Sequence, residues 1–337
     1  MSQNGKGDAP RNCFSKEFRN NFEAIDWGRK KVSKIFYFTT RDPRLQGDFQ
    51  EISMLIGLRN EFGDRVIDTP RKNVVYGDFS ESPKESLHGR GFTYYKGDVK
   101  DIDDIYRMFV PTEDDIIIYG TVEYGILNEK RDHGTCKNIF YIDGGDVPDI
   151  RIKPCFKREL FTPEEDVFPT GFGIPISEIA DIDFSVKDQL IPKTTPDTDL
   201  IEKFDIKPKV HFHPTMSSYH FEEEADYKGD IRRSWFFPVT KRGGWDSLRP
   251  YQGIAYGTLV IFKKYSEKPK LCSPQKLPCL EYGTPDELME IMNRLVVDNK
   301  PTEEYKDLLA QQRIWLHNCG TCEARARKLM EKINERL

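Results

Sequence analysis

The stretch SWFFPVTKRGGWDSLRPYQGIAYGTLVIF, residues 234–262, decides the fold. Its first seven residues, Ser234–Thr240, are aromatic and β-branched and read as a strand. The glycine pair Gly243-Gly244 turns the chain, and the residues towards Tyr256 read as a helix. Gly257-Thr258 gives a second tight turn into Thr258–Phe262 (TLVIF), another continuous apolar strand. Strands alternating with helices, when the strands are apolar throughout, belong to a parallel sheet covered on both faces.

The same grammar runs through the first half of the chain. Lys34–Thr40 (KIFYFTT) reads as the first strand, bounded by a turn-rich segment. Gln50–Phe62 carries Ile52, Leu55, Ile56 and Phe62 at helical spacing. Asn73–Tyr76 reads as a short strand, Asp101–Val110 as a helix, and Asp114–Tyr119 as a buried strand. Asn138–Ile142 is a further strand running into Asp143-Gly144-Gly145-Asp146. After the central stretch, Pro285–Val297, Glu303–Asn318 and the strongly charged Cys322–Arg336 read as helices.

These elements divide the chain. Residues 1–28 form a polar N-terminal arm and residues 29–185 a first Rossmann-like unit. The segment 186–208, rich in Pro, Thr, Asp and Lys, has linker composition. Residues 209–318, beginning with the strand Lys209–Phe212 (KVHF), form a second unit, and 319–337 a closing helix. Two units of this kind face each other across a cleft, and ligands of open α/β sheets sit at the carboxyl ends of the strands.

Composition narrows the function classes. The 337 residues suffice for two domains, and 37% hydrophobic residues build real cores. A net charge of −5 and a pI near 5.8 weigh against a chain that lives by wrapping nucleic acid. No stretch approaches the roughly 18 apolar residues of a membrane span, and the polar N-terminus lacks a signal-peptide core. A cytoplasmic location is the default expectation. Seven irregularly spaced cysteines suit a reducing compartment. Cys319-Gly-Thr-Cys322 reads as incidental cysteines at a helix start, since no second pair completes a zinc set.

Chemistry concentrates in Lys241–Thr258. A strand that ends in a glycine turn and enters a helix presents backbone N–H groups and a positive helix end, which suit a phosphate. Lys241, Arg242 and Arg249 add positive charge of the kind a pyrophosphate requires. The pattern is not GxxxxGK[ST], and no GxGxxG follows the first strand, so neither a P-loop nor a dinucleotide fingerprint is present. The competing reading is a solvated basic loop, with Pro250 as an ordinary helix-start residue.

Gly243–Gln252 followed by Ala255-Tyr256-Gly257-Thr258 resembles the donor-site signature of GT-B glycosyltransferases, and is most similar to the spore-maturation-protein-type and exostosin-type families. Phe156-Lys157-Arg158-Glu159-Leu160, Phe172-Gly173-Ile174-Pro175 and Thr321–Leu329 agree with it. The resemblance implies a GT-B fold: two Rossmann-like parallel-sheet domains across a cleft, with a C-terminal closing helix. It implies an enzyme moving a hexosyl or pentosyl group from a nucleotide-diphosphate sugar to a hydroxyl of a glycan or small molecule. No cofactor and no metal are expected. The donor side would comprise Lys241, Arg242, Gly243, Gly244, Trp245, Asp246, Arg249, Gln252, Gly257 and Thr258. Arg249 would contact the phosphates. Gln252 departs from the acidic residue usual there, although an amide still bonds to sugar hydroxyls.

His211 and His213 share one strand face, and His213, at the strand's end, is a further donor contact. On the acceptor side Thr40, Arg41 and Asp42 follow the first strand, and Asp143 and Asp146 are the candidate general bases of an inverting reaction. The alternative for Asp143–Asp146 is a polar turn capping a strand. Two rival functions remain. The basic stretch Gly28–Lys34 keeps a modified base in DNA open as acceptor, and Gln252 keeps open a non-catalytic sugar- or nucleotide-binding protein.

Overall fold

The computed structural model describes residues 34–40, 48–84, 87, 99–123, 126–195, 197–212 and 217–337. Its first sheet contains six parallel strands in the order β2-β1-β3-β4-β5-β6. They are β1 (Ile35–Phe38), β2 (Val66–Thr69), β3 (Ile116–Tyr119), β4 (Ile139–Asp143), β5 (Cys155–Lys157) and β6 (Val167–Pro169). Helix α1 (Phe49–Phe62) connects β1 to β2, started by Asp48, whose carboxylate accepts from the N–H groups of Gln50 and Glu51. Side chains alternate across β1. Ile35 and Tyr37 face α1, while Phe36 and Phe38 face the opposite layer with Ile117 and Tyr119.

Two expectations fail here. The strand next to β1 is Val66–Thr69, whereas Asn73–Tyr76 is a 3-10 turn closed by Gly77 in the left-handed region. Val66 and Ile67 are fully buried beside β1, and Pro70, which has no N–H to give a ladder, follows directly. The expected helix over 101–110 is only a 3-10 turn, Asp104–Met108. Arg107 turns inward to the carboxylates of Asp68 and Asp101, and Pro111 cannot donate to a continuing helix.

The segment read as a linker is structured. Helix α2 (Thr198–Lys203) lies in it, and Leu200 is fully buried in the core of the second unit. The strand expected at 209–212 exists as β7 (Val210–Phe212), but it forms an antiparallel hairpin with β8 (Ser217–Tyr219). The second parallel sheet therefore has three strands, β9 (Phe236–Val239), β10 (Leu259–Lys263) and β11 (Leu280–Tyr282), in the order β11-β10-β9. Helix α3 (Glu224–Arg232) precedes β9, and α4 (Leu248–Ala255) links β9 to β10. Helices α5 (Pro285–Leu295) and α6 (Glu303–Trp315) follow, and between them β12 (Val296–Val297) pairs with β13 (Lys300–Pro301).

A single π-helical turn, Leu316–Gly320, redirects the chain from α6 into α7 (Cys322–Arg336). This last helix leaves the second unit and packs on α1 of the first. The two helices meet at Gly57, where a Cβ would lie 2.0 Å from the Cys322 carbonyl oxygen. A mid-helix glycine costs about 1 kcal/mol against alanine, and this close approach explains its presence. Asn60 donates to Glu323 at 2.7 Å, and Arg327 pairs with Glu61. Two parallel α/β units, with a terminal helix crossing back to the first, give the two-unit arrangement expected from the sequence. The cores are continuous: Phe140, Ile142 and Phe156 of the first sheet share a cluster with Phe237, Tyr251, Val260 and Phe262 of the second unit.

Candidate functional site

The carboxyl ends of the first sheet hold buried polar groups. Asp143, the last residue of β4, is fully buried, and the Lys157 ammonium at the end of β5 stands 2.9 Å from its Oδ1. The Gly145 N–H donates to the same oxygen at 3.1 Å, while Oδ2 has no partner. Thr40 is equally enclosed, its N–H donating to Glu51 Oε1 at 2.8 Å, and Glu51 pairs with buried Lys72. Burial raises the Glu51 carboxyl, and Lys72 opposes the shift. A carboxylate with no exposure and an ammonium against it does not reach an acceptor hydroxyl in this conformation, so Asp143 is placed as a strand-end ion pair. Asp146 is different: its side chain is 55% exposed, and it is held by Arg158.

Arg158 ties the two units together. Its Nε and Nη2 donate to the Gly144 carbonyl at 2.8 and 2.6 Å, and its Nη1 to the Asp246 carbonyl at 2.8 Å. Burial works against this charge, but Asp246 and Asp146 outweigh it and hold its pKa above the usual arginine value. Glu159 receives the Asp246 N–H at 3.0 Å. The Asp246 carboxylate in turn accepts from the Phe172 N–H and the Tyr251 hydroxyl, both at 2.8 Å. Burial raises its pKa, against the pull of Arg158 and Arg325.

This seam fixes what the glycine pair does. A Cβ on Gly243 would fall 2.3 Å from an Asp146 oxygen, and one on Gly244 would fall 2.4 Å from a Glu159 oxygen. Two carboxylates facing the pair repel a phosphate, so these glycines serve close packing of the units. Trp245 is buried beneath Lys241, whose ammonium lies 5.2 Å from the ring centroid; Lys241 and Arg242 are exposed.

The groups suited to an anion stand one turn further on, at the start of α4. Ser247 is the N-cap residue, with extended backbone, yet its side chain makes no cap and its buried Oγ has no partner. Arg249, half-buried in the first turn, donates from Nη1 to the Thr194 carbonyl at 2.9 Å. Thr194 is 1% exposed and its Oγ1 is also without a partner. Unmade buried hydrogen bonds of this kind are costly and mark places where a ligand or ordered water belongs. Gln252 is buried further along α4; its Oε1 accepts from Tyr227 at 2.9 Å and its Nε2 is unmatched. Gly257, at φ +78°, makes the turn out of α4, and Thr258 is fully buried with its hydroxyl on the Ile231 carbonyl at 2.7 Å.

Arg41, Asp42 and His213 lie outside the described residues. Among the described residues no group of three His, Cys, Asp or Glu is arranged to hold a metal ion. Cys322 is buried at the start of α7, while Cys319 is exposed. No described helix is long and apolar enough to cross a membrane. Sequence reading passed over Thr194 and gave no role to Ser247 or Arg158. Arg158 had a signal, because Lys157-Arg158-Glu159 puts three consecutive charges between the apolar residues Phe156 and Leu160. Thr194 had none.

No family model and no curated protein matches this sequence. Among solved structures it is similar to a glycosyltransferase from Rickettsia africae, at 9% identity and TM-score 0.47, covering 90% of this chain and 98% of that one. The N-terminal domain of the Candida albicans trehalose-6-phosphate phosphatase is similar at 10% identity and TM-score 0.45, covering 91% and 98%. The calicheamicin glycosyltransferase CalG4 is similar at 10% identity and TM-score 0.36, covering 91% and 99%. At these scores the likenesses are of outline only, and the functional reading rests on the site.

Proposed function

We propose that this chain is a glycosyltransferase that binds a nucleotide-diphosphate sugar at the start of α4 and passes the sugar to a hydroxyl of a glycan or small molecule. The observation that carries this reading is the meeting of Arg249, Ser247 and Thr194 at the N-terminus of a helix that follows a parallel strand. The hydroxyls of Ser247 and Thr194 lack partners, Ser247 is the N-cap at the positive end of the helix, and the Arg249 guanidinium is bonded to the Thr194 carbonyl. Such a constellation holds a pyrophosphate. Lys241 and Arg242, exposed before the turn, draw the anion in, and Gln252 is the candidate contact for donor hydroxyls. Asp146, at the seam and half-exposed, is the better placed of the two candidate bases.

A melting curve with UDP or GDP tests the donor site, because a ligand of the native state raises Tm by mass action. The rise should persist in EDTA, since no metal is part of this reading. No shift at millimolar nucleotide would refute the site. Hydrolysis assays over a panel of nucleotide sugars then test turnover. A protein that binds nucleotide but never releases sugar supports the non-catalytic alternative, for which the enclosure of Asp143 already speaks.

A further inference from the structure

Helix α7 carries Arg325, Lys328 and Lys332, spaced three and four residues apart and therefore on one face. That face and the ends of β5 and β6 enclose a cavity of about 170 Å³. Phe156 and Phe168, with ring centroids 5.3 Å apart, form its apolar floor, and the three cations line its other side. Arg325 is only 7% exposed. Its Nε donates to the Phe172 carbonyl at 3.1 Å, and its Nη2 to the Tyr251 hydroxyl at 3.1 Å and to Ser273 Oγ at 3.3 Å. All three acceptors are neutral. Among the described residues no carboxylate is within ion-pair distance of Arg325 and nothing accepts from its Nη1; Asp246 acts on it through space and is bridged to it by the Tyr251 hydroxyl. Lys328 has no ion pair or hydrogen bond among the described residues, and Lys332 has only Glu335, at 2.5 Å.

A largely buried guanidinium with no carboxylate in direct contact keeps hydrogen-bonding capacity that an anion can fill. We propose that this cavity is a second ligand site, separate from the start of α4, and that it takes a small phosphomonoester. The phosphate lies against Arg325 Nη1 and the two lysines, and the apolar part of the molecule lies on Phe156 and Phe168. The cavity is below the roughly 300 Å³ at which pockets enclose drug-sized ligands, so the occupant is a compact headgroup and not a whole nucleotide sugar. Arg325 also grips Tyr251 and Phe172 at the seam, so an anion here braces the contact between the two units.

Calorimetric titration of the full chain with phenyl phosphate and with inorganic phosphate tests this. Phenyl phosphate should bind, and bind more tightly than inorganic phosphate. The double variant Lys328→Glu, Lys332→Glu should weaken it by roughly tenfold or more. Both lysines sit on the outer face of α7, and an unchanged melting curve without ligand confirms an intact fold. Arg249→Ala should bind phenyl phosphate as the parent does. The proposal is overturned if millimolar phenyl phosphate does not bind, if the double variant binds it normally, or if Arg249→Ala abolishes binding.

Discussion

Two consecutive pieces of one loop, Arg242–Asp246 and Ser247–Arg249, look alike as sequence and differ as chemistry. Both follow β9, and both combine glycine, hydroxyl or charged residues with a turn. In the first, the polar groups of Asp246 are already used: Glu159 takes its N–H, Arg158 donates to its carbonyl, and its carboxylate accepts twice. In the second, Ser247 Oγ is buried and unmatched, as is Oγ1 of Thr194, whose carbonyl accepts from Arg249. The first piece is a clasp between the units; the second has capacity left for a ligand. A motif at a strand's carboxyl end becomes a site only where the fold leaves its hydrogen-bonding capacity unspent.

The largest effect should come from breaking the clasp. Arg158→Ala leaves Asp246, Glu159 and two carbonyls without their cation, and loss of one partner of a buried charge network costs about 3–5 kcal/mol. Urea unfolding should show this loss. A variant less than 1 kcal/mol below the parent would mean that the seam carries little of the fold.

Arg249→Ala should act in the opposite register. Nucleotide affinity should fall by about 1.5–3 kcal/mol, the size of a charge-assisted hydrogen bond, with stability nearly unchanged because Arg249 is half-exposed. Arg249→Lys should recover only part, since a point charge replaces a fork. If Arg249→Ala binds UDP or GDP as before while Arg158→Ala does not, the clasp and the site have been assigned the wrong way round.

Lys187 offers a pH test of the second unit without touching either piece. Its ammonium donates to the carbonyls of Arg232 and Ser234, and burial, aided by the charge of Arg232, lowers its pKa from 10.5 to about 7. The unfolded chain then binds the extra proton between about pH 7 and 10.5, so this group makes stability rise with pH across that window. The slope is at most about 1.4 kcal/mol per pH unit. Lys187→Met should flatten it in paired denaturation curves at pH 7 and 9, and an unchanged slope assigns the titration elsewhere.

The smallest effect concerns Gln252. Gln252→Ala should weaken an intact nucleotide sugar by about 0.5–1.5 kcal/mol more than it weakens pyrophosphate. Gln252→Glu should be tolerated, because a carboxylate still accepts from Tyr227. Equal losses for both ligands, measured by calorimetry, would limit Gln252 to its bond with Tyr227.

The strands β1, β3, β4, β9 and β10 and the helices α1, α4, α5, α6 and α7 were legible because each carries a long apolar run or a clear helical period. Three-residue strands such as β5, β6 and β11 were not, since so short a segment has no period, and their existence depends on a neighbour's ladder. Asn73–Tyr76 shows the same limit: its β-branched pair suits a strand, but β1 has one free edge, and Val66–Thr69 takes it. For the site, Arg249 stood out by charge and position, whereas Thr194, 53 residues before Ser247 in the chain, is brought to α4 only by folding.

By itself the sequence determined the alternation of apolar strands and helices, the two-unit plan with a terminal helix, and a cationic turn after β9. Those are local properties, set by side-chain type and spacing along a few residues. Only the tertiary structure decided which polar groups find partners. Asp143 lost its place as a free base to Lys157, the glycine pair was taken by Asp146 and Glu159, and Ser247 was left open, because satisfaction of a buried hydrogen bond depends on groups that the chain separates and only packing brings together.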